Sequence, residues 1–519
     1  MPGMRFSLSQ QKATYPFPQP ACRPLPPADG IPMTKGERNK MQENKRGQWG
    51  SSFGFLMASI GSAIGLGNLW GFPYKMGSSG GFAFLVIYLI LVLLAGIPLM
   101  MAEFSLGRKT GTGVGAYAKL SEKYKVIGWM AAFCPFLILS FYAVLAGMTL
   151  RYCLGFLVQI VGFDGFSAQG SSFFGFLLYD TSSMVLFLAL AMAITMIIVM
   201  GGVQGGIEKF SKAVMPALGV ILIGIIIFVA TQEGAADGYK FMFKPDFTIF
   251  ADPSSFFGVL KTAAGQMFFS LSLAMGINIT FGSYLSKEKN LQKNAVIVPF
   301  SDTIFALLAG MMIMPACSAF GVDYGAGPGL LFASMQKVFL DGMGGMVGNV
   351  VGFLFYFLVF IAAITSSIAL LEVCTASVVD RQLAKGKEPN RKKISLIFAI
   401  AIFIVGLPTA MDALGSGGAA LKAPFELLGL EAGGAGYAMW NDCWLDFYDM
   451  ITEGVLMPLG ALLMSLLLGW KLPKLVQEEC EEGGHTFKFA GYFKVAYRII
   501  IPIIMVIVLY TQIQAFFNL

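Results

Sequence analysis

Within an otherwise apolar chain, a small set of oxygen-bearing residues stands out by type and spacing. Ser59, Ser62 and Asn68 fall close together, as do Gln266, Ser270, Ser272, Asn278 and Thr280 about 200 residues later. Asp302 and the run Thr365-Ser366-Ser367 add a carboxylate and three hydroxyls, Glu372 and Asp380 follow that run, and Glu103 closes the second apolar run. A polar side chain at bilayer depth must meet a partner or a ligand. Oxygen donors without soft ligands suit a hard cation such as sodium. Any single Ser or Thr is accounted for by a bond to the preceding helical turn; the set together is not, because it accompanies two breaks in helical pattern.

The first break is Gly61-Ser62-Ala63-Ile64-Gly65-Leu66-Gly67-Asn68, inside an apolar run from about Ser52 to Met76. Each glycine in a helix interior costs about 1 kcal/mol relative to alanine, and no water is present at bilayer depth to satisfy an opened backbone. The second is Ser270-Leu271-Ser272-Leu273-Ala274-Met275-Gly276. Paired interruptions of this kind point to a transporter's midplane site. Catalytic alternatives lack material. His485 is the only histidine, and the seven cysteines (Cys22, Cys134, Cys153, Cys317, Cys374, Cys443, Cys480) form no C-x-x-C pair. Zinc ligation and Ser-His-Asp chemistry are therefore not expected, and the chain does not read as an enzyme.

These residues need a membrane scaffold to position them. The chain has 519 residues, is 56% hydrophobic and 13% charged, and has a mean hydropathy of +0.71, which describes a polytopic all-α membrane protein. Runs near 52–76, 82–106, 127–156, 182–200, 213–231, 257–284, 295–320, 346–379, 394–410, 445–470 and 497–517 each approach the roughly 20 residues a bilayer requires, giving about 11 spans. Lys and Arg collect before the first run, after the second and after the eighth, while 158–183 has none. That bias places the N-terminus in the cytoplasm of a cell-membrane protein and, for an odd number of spans, the C-terminus outside. The net charge of +6 follows from the same bias and gives no reason to expect a nucleic-acid partner. The lipid bilayer is the expected environment. Residues 1–45 are rich in proline without a signal-peptide core and read as a disordered cytoplasmic leader, with Met33 and Met41 as alternative starts.

The motifs G-S-A-I-G-L-G-N-L-W-G-F-P-Y from Gly61, G-G-F-A-F from Gly80, G-I-P-L-M-M-A-E-F-S-L-G from Gly96, G-Q-M-F-F-S-L-S-L-A-M-G from Gly265 and A-I-T-S-S-I-A from Ala363 closely resemble the neurotransmitter:sodium symporter family, in its bacterial amino-acid transporter branch. The resemblance covers nearly the whole chain from Arg46. It implies a transporter core over 46–470, built as inverted repeats of five spans (about 46–235 and 255–470), with spans 1 and 6 discontinuous. A cytoplasmic loop and an eleventh span over 471–519 would follow. It also implies two sodium ions. The first would contact Ala63, Asn68, Ser270, Asp302 and the substrate carboxylate; the second Gly61, Ile64, Ala362, Thr365 and Ser366.

An amino-acid substrate would place its carboxylate on Tyr142 and the amides at Gly65 and Leu66, beside Gly67, where a helix N-terminus favours an anion. Its ammonium would meet carbonyls at Ala63, Phe269 and Ser272. Monoamine carriers of the family hold a carboxylate at the position of Gly65; glycine there leaves room for an α-amino acid. The side-chain pocket would be Ile138, Tyr142, Phe269, Met275, Ser366 and Leu370, with Ser270 adjoining, which suits an aliphatic or aromatic side chain. The activity implied is sodium-coupled import of a neutral hydrophobic amino acid by alternating access. A non-transporting sensor on the same fold and a carrier of another small zwitterion are the alternatives, in a monomer or homodimer.

For the gates, the resemblance implies Arg46 and Trp49 with Tyr284 and Asp380 on the cytoplasmic side, and an aromatic lid of Tyr142 and Phe269 with Asp449 on the outer side. The family's outer arginine is replaced by Gly71, and Lys75, four residues on and thus on the same helical face, is the expected substitute partner for Asp449. Asp302 stands where chloride-dependent relatives carry asparagine, so its fixed charge would replace chloride beside Tyr88, Gln266 and Ser270. A carboxylate left at that depth without its cation favours its protonated form, so Asp302 would return carrying a proton, giving proton counter-transport. Replacing chloride by gluconate is expected to leave uptake unchanged; a collapse of uptake would overturn the assignment to Asp302.

Overall fold

In the computed structural model, residues 48–324, 329–415, 421, 424 and 443–517 are described. The expected leader and Arg46 lie outside them. The described chain is helical and contains no strand. Among the described residues nine helices, and the bent pair α1, are long and apolar enough to cross a membrane; with the shorter broken pair α6 we name α1 (Ser52–Ala63 with Gly67–Ser78), α2 (Phe82–Thr110), α3 (Glu122–Ile160), α4 (Thr181–Met200), α5 (Val203–Ala230), α6 (Pro253–Ser270 with Ile277–Gly282), α7 (Leu291–Ala319), α8 (Gly345–Ala384), α9 (Arg391–Gly415), α10 (Trp444–Lys471) and α11 (Ala490–Gln514). α3 and α8 run longer than the apolar runs suggest, because the helices continue into charged flanking residues, Glu122, Lys123 and Lys125 in α3 and Asp380 and Arg381 in α8. Short helices Phe173–Tyr179 and Ala235–Phe243 lie in connections where no span was expected.

Both expected breaks are present. The two halves of α1 are bent by 46°, with Ile64 extended at the end of the first half (φ −75°, ψ 101°). In α6 the turn after Ser270 places Ser272 (φ 53°) and Ala274 (φ 60°) in the left-handed region, followed by Gly276 (φ 76°). Side chains other than glycine adopt that conformation at a cost, so surrounding contacts must hold it. Glu103 of α2, fully buried, supplies two: one carboxylate oxygen accepts from the Ala274 amide at 3.0 Å and the other from Asn278 Nδ2 at 3.0 Å. Asn278 Nδ2 also donates to the carbonyls of Leu271 and Ser272. The bend is thus stabilised by hydrogen bonds that replace the interrupted helical ladder.

The breaks recur five spans apart. An odd number of crossings reverses direction, so the second five-helix set runs opposite to the first, as inverted repeats require. The long helices α3 and α8 are the most enclosed, with 78% of the most apolar window of each buried, against 28% for α5 and 33% for both α4 and α11. The two enclosed helices both reach the break in α1, α3 through Tyr142 and α8 through Ser366.

The first half of α1 is fastened at its start by a carboxylate from α5. Glu208 accepts from the Gly50 amide (2.7 Å), Ser51 Oγ (3.0 Å) and Lys212 Nζ (2.5 Å). It lies across Gly54, where a Cβ would occupy the space of its carboxyl group. An anion at a helix N-terminus is favoured by the exposed amides and the helix dipole. Gly54→Ala is expected to displace Glu208 and lower stability by about 1–3 kcal/mol, read as a lower unfolding midpoint in detergent. Gly224→Ala, where an added Cβ meets open space, serves as the control that should not match this loss.

Candidate functional site

The break in α1 exposes peptide groups, and the structure brings side chains from three other helices, α3, α6 and α8, to them. On the amide side, Gly65 N donates to Asn68 Oδ1 (3.2 Å) and Leu66 N donates to Tyr142 Oη of α3 (3.0 Å). On the carbonyl side, Ser62 O accepts from both Ser272 Oγ of α6 and Ser366 Oγ of α8, each at 3.2 Å. Gly67 O accepts from Gln266 Nε2 (2.7 Å), which ties the two broken helices together. Ala63, the last residue before the break, is buried.

Beside this break Asn68 and Ser270, two of the residues expected at the first sodium position, converge on a third, Asp302 of α7. Asn68 Nδ2 donates to Asp302 Oδ1 (2.8 Å) and to its carbonyl (3.2 Å). Ser270 Oγ reaches both carboxylate oxygens, at 3.1 and 2.9 Å, and Tyr88 Oη stands 3.4 Å from Oδ2. Asp302, Asn68 and Ser270 are at most 1% exposed. A carboxylate enclosed this way is tolerable because three neutral donors face it; a cation placed among the same oxygens would relieve the remaining charge. Among the described residues, no group of three His, Cys, Asp or Glu stands ready for a metal ion. The oxygen set is instead of the mixed carbonyl, amide and hydroxyl kind.

A second oxygen cluster forms where α8 meets the end of the first half of α1. Thr365 Oγ1 lies 3.4 Å from Ile64 O and 2.8 Å from Ala362 O. Ser366 Oγ lies 3.5 Å from Ala362 O, and the Cβ direction of Gly61 points to Thr365. The five residues expected at the second sodium are therefore neighbours. Two other hydroxyls behave as ordinary back-bonds: Ser367 Oγ to Ala363 O (2.9 Å) and Ser62 Oγ to Ser59 O (2.9 Å).

Two of the expected pocket side chains, Tyr142 and Ser366, border Gly65. A Cβ there would sit 2.6 Å from Tyr142 Oη and overlap Ser366 Oγ, so these two hydroxyls fill the space beside the glycine. Tyr142 and Phe269 rings lie 6.3 Å apart between centroids, and Phe269 closes over Gly67 with its ring 3.0 Å from that residue's Cβ direction. Ile138, Met275 and Leu370 are buried in the same apolar core.

At the opposite end of α1, Trp49 Nε1 donates to Phe281 O (3.1 Å), and the ring packs edge-on against Phe281 and Tyr284. Tyr284 Oη donates to Glu372 (2.7 Å), which in turn forms an ion pair with Arg391. Asp380, the expected partner of Arg46, accepts from the Gly113 amide at 2.8 Å. The expectation for Lys75 needs correction. Its ammonium pairs with Glu453 of α10 at 2.9 Å, one helical turn beyond Asp449. Glu453 and Glu208 escaped the sequence reading, and Glu372 was noted there without its partner Arg391, because a pairing between helices leaves no signal in spacing.

The sodium:neurotransmitter symporter family profile matches residues 46–163 and 178–422. An uncharacterized sodium-dependent transporter, YhdH of Bacillus subtilis, is 34% identical over 479 residues, 90% of this chain and 98% of its own length. The sodium-dependent neutral amino acid transporter B(0)AT2 of Mus musculus is 30% identical over 311 residues, 54% of this chain and 42% of its own. The crystal structure of MhsT in complex with L-phenylalanine superposes with a TM-score of 0.77 at 34% identity, covering 90% of this chain and 100% of MhsT. With the broken helices and their oxygen clusters in place, the chain belongs to the sodium:neurotransmitter symporter family and is a sodium-dependent symporter.

Proposed function

We propose that this symporter imports a hydrophobic, aliphatic or aromatic neutral α-amino acid by alternating access, with two sodium ions per cycle and without chloride. The observation that carries this reading is the geometry at Gly65. Its missing side chain lets Tyr142 Oη and Ser366 Oγ close onto the α1 backbone, where the Leu66 amide donates to Tyr142 Oη; an entering carboxylate would take this amide and this hydroxyl as its donors. The buried Ile138, Met275 and Leu370 favour an apolar side chain, and the L-phenylalanine in MhsT supports that choice. The substrate ammonium would take the carbonyls of Ala63, Phe269 and Ser272.

The first sodium would take Ala63 O, Asn68 Oδ1, Ser270 Oγ, Asp302 and the substrate carboxylate, exchanging the hydrogen bonds that now link these groups for coordination. The second would take Gly61 O, Ile64 O, Ala362 O, Thr365 Oγ1 and Ser366 Oγ. Asp302 brings the fixed negative charge that makes chloride unnecessary and, on the return step, a proton carrier. Arg46 with Asp380, and Trp49 with Tyr284, would close the cytoplasmic path of a cell-membrane protein whose C-terminus lies outside.

The coupling is energetically sufficient. A tenfold sodium gradient supplies about 1.4 kcal/mol per ion, and 100 mV supplies about 2.3 more. Two ions thus supply roughly 7 kcal/mol, enough to concentrate a zwitterion about 10⁵-fold.

In proteoliposomes with an inward sodium gradient, labelled phenylalanine or leucine is expected to accumulate above equilibrium, and charged amino acids are not expected to compete. Accumulation without sodium, or binding without any accumulation, would overturn symport in favour of a facilitator or a sensor. Gly65→Asp is expected to reduce amino-acid affinity at least about 100-fold, since the added carboxylate fills the pocket and repels the substrate's own. Unchanged affinity in that variant would remove Gly65 from the site. Tyr142→Phe removes a charge-assisted hydrogen bond of about 1.5–3 kcal/mol; binding weakened by less than threefold would contradict its role.

A further inference from the structure

The second half of α6 is too short to support itself. Ile277–Gly282 has six residues, and a helix so far below the roughly 12–15 residues needed for independent stability must be held by its neighbours. One edge of α2 does this at successive points. Glu103 bonds the turn that precedes the helix. At Gly107 a Cβ would coincide with Ile279 O, and at Gly282 one would lie 2.7 Å from Phe104 Cα, so the two backbones meet with no side chain between them. The next residue, Arg108, holds the exit from the helix: its Nη1 donates to Lys289 O at 2.8 Å, in the connection to α7.

The charge on Arg108 is met from far along the sequence. Glu479, in the short helix Leu475–Glu481 between α10 and α11, accepts from Arg108 Nε at 3.1 Å and, through its carbonyl, from Nη2. Both side chains are 1% exposed, and Lys109 Nζ lies 3.5 Å from the other carboxylate oxygen of Glu479. Parting such a pair leaves a charge buried without its partner, which is strongly unfavourable. From Glu479 the chain runs along the α6–α7 connection. Lys287 pairs with Glu482 at 3.3 Å, and His485 Nε2 lies 3.0 Å from Glu288 O. Gln292 of α7 and the Lys488 backbone exchange two bonds, at 2.8 and 3.0 Å. Gly483, at φ 76°, permits the close approach, since a Cβ there would lie 2.9 Å from Lys287 O.

We propose that residues 475–488 are a strap that stays closed through the transport cycle and, through Arg108, fixes the second half of α6 against α2. This rests on the transport reading above, in which the turn at Ser272 offers carbonyls to the substrate ammonium. The strap keeps that turn in place. Arg108 and Glu479 are positioning residues and touch neither ion nor substrate. The exposed contacts set the register of the strap, and the buried pair makes it permanent.

The test follows amide hydrogen exchange over 271–282 in the full-length protein, with phenylalanine affinity in saturating sodium measured beside it. Glu479→Gln is expected to raise exchange at least about tenfold and weaken phenylalanine at least about fivefold, because the short helix opens locally. Arg108→Met combined with Glu479→Met removes both buried charges and is expected to keep an unfolding midpoint near the parent's. It still leaves Lys289 O without its donor, so the same two changes are expected, which separates positioning from loss of fold. Joining Glu288→Cys to His485→Cys with a short bismaleimide is expected to leave uptake within about twofold of the parent and, in the Met pair, to return exchange to within about threefold.

Parent-like exchange over 271–282 in the folded Met pair would overturn the proposal, as would a cross-link that fails to restore it. Uptake lost more than about fivefold on cross-linking the parent would show that the strap must open, and would overturn it too. Failure of the amino-acid reading appears separately, as a parent protein that binds no phenylalanine with sodium present. The exchange comparison needs no ligand and still decides the strap.

Discussion

A peptide group opened at bilayer depth has no water to turn to, and this protein opens two helices there. The cost is met by side chains sent from other helices. Glu103 and Asn278 satisfy the turn in α6; Tyr142, Ser272, Ser366 and Gln266 satisfy the break in α1. This requirement explains why so apolar a chain keeps buried carboxylates, amides and hydroxyls, and why they cluster at two places instead of lining a continuous path. A channel would need the latter arrangement.

The same requirement turns structural bonds into binding sites. Groups that now bond one another across the break, such as Asn68 with Asp302 and Thr365 with Ile64 O, are the groups a desolvated sodium ion needs. Binding therefore exchanges partners and leaves no buried group unsatisfied. Because the proposed amino acid adds its own carboxylate to one of these oxygen sets, ion and substrate would stabilise a common arrangement of α1, α6, α7 and α8. Coupling of that kind acts in both directions.

Much of this was legible in the sequence, for physical reasons. Glycines in an apolar run are costly enough to mark a break, and a lone Asp at bilayer depth is costly enough to mark a site. Asp302, Asn68 and Ser270 are indeed in contact, and so are Thr365, Ala362 and Ile64. The partner of Lys75 was misread. Asp449 and Glu453 lie one turn apart on the same face of α10, and spacing cannot separate them; what does is the bare backbone of Gly265 on another helix, a tertiary fact. The same holds for Glu208 on Gly54 and for the pairing of Glu372 with Arg391. Short helices such as Ala235–Phe243 were missed because they are too brief and too polar for a span signal.

The central claim is that the broken α1 binds sodium and a neutral amino acid as one unit. Equilibrium binding of labelled phenylalanine to the purified protein, titrated with sodium in a potassium background, tests it most directly. The account predicts that saturating sodium tightens amino-acid binding at least about tenfold, and that saturating phenylalanine tightens sodium binding by the same factor. Amino-acid affinity independent of sodium would contradict it.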